Sequence, residues 1–218
     1  MGSRGAGSGR KNANTEIGKP NDATEYYVSG DGMWINSYLR NPNQFEANYG
    51  ELSENEKKII SDMDKATSGK ITDEVLYRNV DASVIFGNMS ENDLYNLTQT
   101  VVNGADSWGK GAYADGIRAK ANEAISRVEG KTITEKGFMS TTASRSVAES
   151  WGSFTGSENP VVMRINPNKK AKGVNVSEYD KNAYGDPQNE RILARNQSYK
   201  VKKVYAKNNL VYVDVDIV

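Results

Sequence analysis

The stretch Lys131-Thr132-Ile133-Thr134-Glu135-Lys136-Gly137-Phe138-Met139-Ser140-Thr141-Thr142 marks where the chain changes character. Thr132-Ile133 and the run from Gly137 to Thr142 read as extended, because β-branched and aromatic side chains sit well on a pleated surface. The same pattern recurs downstream at Pro160 to Ile165, Val174 to Val176, Arg191 to Leu193, Tyr199 to Tyr205 and Leu210 to Ile217, all short and rich in Val, Ile and Tyr. Asn208-Asn209 predicts a hairpin turn between the last two, since asparagine tolerates the left-handed backbone such a turn needs.

Upstream of that stretch the periodicity is helical. Tyr27, Met33, Trp34, Ile35, Tyr38 and Leu39 recur with a loose helical period, and Asn41-Pro42 stops that helix. Ser53-Glu54-Asn55-Glu56 is a capping box, opening a helix with Ile59, Ile60 and Met63 as its apolar stripe and Ser68-Gly69 as its end. Val75, Leu76 and Tyr77 predict a short strand within Ile71 to Val80. Ser90 to Asp93 starts another helix through Leu94, Leu97 and Val101, which Gly104 closes. Trp108 to Val128 reads as helix in its second half, and Val147 to Trp151 as one or two helical turns. Helices first and strands after predict an α+β fold with mainly antiparallel sheet, not a doubly wound one. Residues 1–22 are polar and rich in Gly, Asn and Lys, with too little apolar area to offset ordering. They read as a flexible lead-in or linker before a domain at 23–218.

Composition removes whole classes of chemistry. The chain of 218 residues holds no cysteine and no histidine, and its formal net charge is zero. No disulfide, thiolate metal site, cysteine nucleophile, Ser-His-Asp triad or imidazole base can be built. Any catalysis rests on carboxylates, hydroxyls, amides, lysines, arginines or tyrosines. Bulk charge gives no standing attraction to nucleic acid or acidic membrane. No apolar run has the roughly 20 residues of a membrane span, and no apolar signal core follows Met1.

Three features stand out, in this order: Tyr77-Arg78 at the end of a strand, Ser140-Thr141-Thr142 at the end of another, and Gln188-Asn189-Glu190 entering a third. Each alone fits a solvated strand face. On a strand, alternate residues share a face, so Gln188 and Glu190 are expected to point the same way.

Their order, spacing and surroundings together resemble the Arg-Ser-Glu class of ADP-ribosyltransferases, and within it the small Rho-modifying exoenzyme toxins that carry Gln-x-Glu. The likeness covers roughly Ala23 to Val218. Leu52 to Ser61 resembles that family's second helix, Tyr77-Arg78 its aromatic-arginine strand end, and Gly137 to Thr142 its Ser-Thr-Ser strand. Phe154-Thr155-Gly156 before Pro160-Val161 resembles its Phe-x-Gly segment, and Tyr184 to Leu193 the loop and strand bearing the catalytic glutamate. The other ADP-ribosyltransferase class uses a histidine to hold NAD, which this chain lacks.

The resemblance implies N-terminal helices packed on two mainly antiparallel sheets flanking an NAD cleft. It implies that Glu190 stabilises the charge developing on the ribose as nicotinamide leaves, with Ser140 hydrogen-bonded to it. Arg78 would hold the pyrophosphate or adjacent ribose, because a guanidinium makes paired hydrogen bonds to phosphate oxygens. Tyr77, Asn79, Thr141, Thr142 and Phe154 would complete the NAD site, with Trp151 a rival to Phe154 beside the nicotinamide. Gln188 would orient a neutral acceptor such as asparagine, amide to amide. Tyr184, with Tyr179 as its rival, would face the acceptor protein.

The chain also departs from the pattern. Ser157, Glu158 and Asn159 stand where the toxins carry an arginine, so that Arg145 becomes a candidate for the missing phosphate contact. Asn79 stands where many relatives have glycine, and Asp186-Pro187 lengthens and stiffens the acceptor loop.

NAD is thus expected as substrate, with no metal, and an acceptor protein as partner, a small GTPase being one candidate. The chain is expected to be a monomer without a membrane span. Transfer to a nucleic acid base, NAD hydrolysis and a non-enzymatic binding module remain alternatives. A secreted toxin acting in a host cytosol, an intracellular effector and a phage-encoded enzyme all fit this sequence.

Overall fold

Asn21 caps the first helix: its side chain accepts from the backbone N–H groups of Ala23 and Thr24, and Thr24 accepts from Asn21 in return. The computed structural model describes residues 18–71, 74–87, 89–155, 157–177 and 188–218, without the side chains of 153–155 and 169. The lead-in expected over 1–22 therefore lies, through residue 17, outside the described residues. Helix α1 (Asp22–Tyr26) passes through a π-helical turn at Tyr27–Asp31 into α2 (Gly32–Arg40), and Gly30, with φ of 114°, takes up the kink. Asn41-Pro42 ends α2 as expected and also opens α3 (Pro42–Tyr49), a helix the periodicity did not suggest. The Asn41 side chain caps Gln44, and Pro42 occupies the first turn, where no backbone donor is needed. Helix α4 (Glu54–Ala66) begins at the Ser53–Glu56 capping box.

The rest of the chain runs β1 (Leu76–Asp81), α5 (Ala82–Phe86), α6 (Glu91–Asn103), α7 (Ala112–Val128), β2 (Thr132–Glu135), β3 (Met139–Thr142) and α8 (Arg145–Thr155), then β4 (Pro160–Asn166), β5 (Gly173–Asn175), β6 (Glu190–Leu193), β7 (Gln197–Lys207) and β8 (Leu210–Ile217). Helix α7 starts at Ala112, near the front of the stretch expected to turn helical only in its second half, and α5 was not foreseen. Asn208 and Asn209, with φ of 52° and 58°, turn β7 into β8 as their sequence predicted.

The α+β class is as expected, but the two anticipated sheets are hydrogen-bonded into one eight-stranded sheet, ordered β2-β7-β8-β4-β1-β3-β6-β5. Among the described residues all strand pairings are antiparallel except β4 with β8. Between β1 and β3 the register holds one pair among the described residues, Tyr77 opposite Thr142. Two halves of the sheet thus meet at a narrow junction, and each half carries its own helices. Leu94 and Leu97 of α6 and Ala121, Ala124 and Val128 of α7 pack on Val161, Met163, Val213 and Val215. Tyr27, Ile35, Phe45, Ile60 and Met63 from the N-terminal helices pack on Phe138, Val174 and Ile192 of the other half. The intervening Val162 points the opposite way, to Ala148 of α8 and Tyr212.

Candidate active site

The junction of the two half-sheets brings the separate sequence motifs together. Tyr77, Arg78 and Asn79 of β1, Ser140, Thr141 and Thr142 of β3, and Gln188 and Glu190 at the start of β6 all line one cleft of about 470 Å³. Register explains the convergence. Tyr77 lies opposite Thr142 and Thr142 opposite Glu190, so one row crosses three strands. The cleft is within the size range of small-molecule sites.

The threonines hold the backbone that carries the carboxylate. Thr141 donates to the carbonyl of Arg191 at 2.7 Å, and Thr142 donates to the carbonyl of Gln188 while accepting from Ser144 N–H at 2.9 Å. Both hydroxyl protons are therefore committed to the protein, while both residues line the cleft. Asn189 adopts a φ of 52°, and its carbonyl accepts from Ala143 at 3.1 Å. This left-handed residue separates Gln188 from the strand, so the two side chains share the cleft through a turn and not through strand alternation. Asn79 donates to the carbonyl of Ala148 at 3.1 Å and so ties β1 to α8.

Arg78 reaches across the junction and donates from Nη1 to the carbonyl of Ser140 at 2.8 Å. The bond expected between Ser140 and Glu190 is not formed. Ser140 lies opposite Ile192, two positions along from the partner of Glu190, so the two are diagonal neighbours on one face of the sheet. The Ser140 hydroxyl lies beside that of Tyr27. Burial pushes the Tyr27 hydroxyl above the ordinary tyrosine range. Ser140, the Arg78 charge and Asn36 oppose that rise, and the Glu190 charge adds to it. The buried phenol thus feels the residues of all three motifs' chemistry at once.

Tyr27, Asn36 and Arg40 are cleft residues that sequence reasoning missed. Asn36 donates to the Tyr27 hydroxyl at 2.8 Å and the Phe138 carbonyl at 3.0 Å, and accepts from Phe138 N–H at 2.8 Å. It binds β3's entry as a neighbouring strand would. A Cβ at Gly137 would stand 2.5 Å from the Asn36 Oδ1, so only glycine permits that approach. Arg40 holds Glu135 at 2.9 and 3.2 Å, and Glu135 also accepts from Gly137 N–H at 2.7 Å. Asn36 and Arg40 are four apart on α2 and so share a face, a polar pair in an otherwise amphipathic helix that was one available signal. Gly32 was another: a Cβ there would meet the Tyr27 ring at 2.9 Å.

A second cavity of about 510 Å³ shares Arg40, Arg78 and Asn79 with the first and extends to Met139, Met163 and Tyr199. The Tyr199 hydroxyl is buried there without a hydrogen-bond partner among the described residues. Burial pushes its proton affinity far up, the Glu135 charge adds to that, and the Arg78 charge opposes it.

Trp151 of α8 lines the first cleft and remains 41% exposed. Arg145, the candidate for an extra phosphate contact, pairs with Glu149 on the same helix at 3.4 Å and is not among the residues lining the cleft. The Phe154 side chain, Tyr179, Tyr184 and Pro187 lie outside the described residues. Among the described residues no group of acidic side chains could hold a metal ion, and no helix is long and apolar enough to cross a membrane.

A family model described as ADP-ribosyltransferase exoenzyme matches residues 13–216. Among solved structures, the Clostridium limosum C3 exoenzyme is similar with a TM-score of 0.60 at 21% identity, covering 90% of this chain and 83% of that one. An ADP-ribosyltransferase from Clostridium botulinum gives a TM-score of 0.58 at 17% identity, covering 90% and 84%. A toxin from Paenibacillus larvae, also an ADP-ribosyltransferase, gives 0.51 at 20% identity, covering 90% and 86%. No curated protein matches the sequence.

Proposed function

The chain belongs to the ADP-ribosyltransferase exoenzyme family, an NAD-dependent mono-ADP-ribosyltransferase acting on a protein acceptor, and from that premise we propose the roles of its residues and the kind of acceptor it takes. Residues 23–218 are the catalytic domain. Glu190 is the carboxylate that stabilises the ribosyl cation, Arg78 grips the pyrophosphate or adjacent ribose, and Ser140 supports the site from β3. Gln188 orients the acceptor, which presents a neutral amide, an asparagine side chain, as on a small GTPase.

The chemistry assigns these roles. Breaking the nicotinamide–ribose bond returns the bonding pair to the pyridinium ring and leaves positive charge spread over the ribose C1′ and ring oxygen. A fixed carboxylate beside that carbon stabilises the transition state more than the ground state, where the charge lies on the ring. A guanidinium on the phosphates anchors the rest of the dinucleotide while the glycosidic bond is stretched. The nitrogen of a neutral acceptor amide then bonds to C1′ and gives up one of its two protons to water. A neutral glutamine can pair with it as donor and acceptor, where a carboxylate would favour a cationic guanidinium.

The observation that carries this reading is the convergence of Arg78, Ser140, Gln188 and Glu190, drawn from three separate stretches, on the lining of one cleft. Adenine-labelled NAD, incubated with the purified chain and cell extract, tests it. Label is expected on protein, on an asparagine. Gln188→Ala is expected to leave nicotinamide release in buffer within about threefold of wild type and to cut transfer at least tenfold, a loss near 1.4 kcal/mol in transition-state binding. Equal losses in both activities would remove Gln188 from acceptor recognition, and label on RNA would redirect the acceptor.

A further inference from the structure

Arg191 follows Glu190 directly, and its side chain is only 10% exposed. A guanidinium that deep requires partners for its donors, because an unpaired buried charge is strongly destabilising. Its Nε and Nη2 engage Glu74 Oε1 at 3.0 and 2.8 Å. Its Nη1 donates to two backbone carbonyls, that of Asn189 at 3.1 Å and that of Glu190 at 3.2 Å. The carbonyl of Arg191 itself accepts the Thr141 hydroxyl at 2.7 Å.

The two carbonyls that Nη1 holds belong to the turn that aims Gln188 and Glu190 into the cleft. Asn189 holds a φ of 52° there, a conformation uncommon for a residue with a side chain. Glu74 anchors the guanidinium from the segment leading into β1, the strand that carries Arg78. One ion pair between a buried guanidinium and an exposed carboxylate therefore ties the backbone of the carboxylate-bearing turn to the approach of the strand carrying the phosphate-binding arginine.

We propose that Arg191, braced by Glu74, is a positioning residue that fixes the Gln188–Glu190 turn across the sheet junction and thereby sets the placement of the Glu190 carboxylate against the ribose. This rests on the role assigned to Glu190 above. Arg191 touches neither substrate nor reacting atoms; it acts through the two carbonyls it holds. Lysine cannot replace it, since a single ammonium cannot serve Glu74 and both carbonyls in one planar fork.

The test is a double-mutant cycle on the whole chain with Arg191→Met, Glu74→Gln and both together. Nicotinamide release and amide hydrogen exchange over residues 188–193 are read side by side. The Glu74 side chain is 40% exposed, so Glu74→Gln keeps the test usable if Arg191→Met folds poorly. Each single change is expected to lower kcat about tenfold, the scale seen when supporting groups of a site are removed. The KM for NAD should stay within about threefold. The double variant should lose about tenfold and not a hundredfold, because both changes release the same clamp. Arg191→Lys should not restore kcat, and exchange at 188–190 should quicken in every variant.

Losses that multiply, that fall on KM, or that track only the fraction of folded protein would overturn the proposal, as would unchanged exchange at 188–190. If wild type releases no nicotinamide yet exchange still quickens in the variants, the clamp stands and the NAD reading of Glu190 falls.

Discussion

Asn36 joins α2 to the entry of β3 at the edge of the cleft. It satisfies both backbone groups of Phe138 and the hydroxyl of Tyr27, and all of these are buried. Replacing it with alanine orphans a buried N–H and weakens the seat of Tyr27, which faces Ser140, Arg78 and Glu190. Asn36→Ala is expected to cost about 1–3 kcal/mol for each group left unsatisfied. In urea this appears as a lower midpoint at an unchanged m-value. A midpoint equal to wild type would mean that Phe138 and Tyr27 find other partners. Arg78, Ser140 and Glu190 were legible because their order and surroundings resemble a family's motifs, although Arg78 falls inside β1 and not at its end as the sequence suggested. Asn36, Tyr27 and Arg40 were not, because their place in the cleft depends on how α2 docks against β3. Asn36 and Phe138 stand 102 residues apart in the chain, and no local pattern spans that distance.

At the scale of elements, the capping signals were the most reliable guide. The Ser53 and Ser90 starts and the Asn208-Asn209 turn all appear where their side chains satisfy or permit the backbone locally. Asn41-Pro42 carried two meanings, a stop and a start, and only the first was read. Helix α5 was hidden because its cap, Asp81, is also the last residue of β1.

Burial pushes the Asp81 carboxyl up, but hydrogen bonds from Ser83, Ser157 and Asn159 outweigh it and hold the group below the ordinary aspartate value. A carboxyl held low in the folded state stabilises the fold above its unfolded value and loses that contribution as pH falls through its folded one. The loss should therefore develop below about pH 4. Asparagine also caps helices well, so Asp81→Asn keeps the cap and removes the charge. Thermal unfolding should show the variant below wild type near neutral pH, with the difference shrinking as pH drops toward about 2. A difference that stays constant with pH would remove the carboxylate's charge from the stability of α5.

For the whole molecule, the decisive feature is a single sheet assembled from two halves that meet at Tyr77 and Thr142. The strand run foretold α+β and mostly antiparallel pairing. It could not foretell that the halves would join, because pairing between β1 and β3 is a property of tertiary register and not of local pattern. The junction places Arg78 on one side and Ser140 with Glu190 on the other, around one cleft.

The role proposed for the Glu190 carboxylate is to supply the charge that lets nicotinamide leave. Its most direct test is nicotinamide release by Glu190→Gln, which keeps the side chain's shape and removes its charge. The expected result is an unchanged unfolding temperature, a KM for NAD within about threefold of wild type, and a kcat lower by about 100- to 1000-fold, the range for losing one transition-state electrostatic contact. Release at the wild-type rate would contradict it.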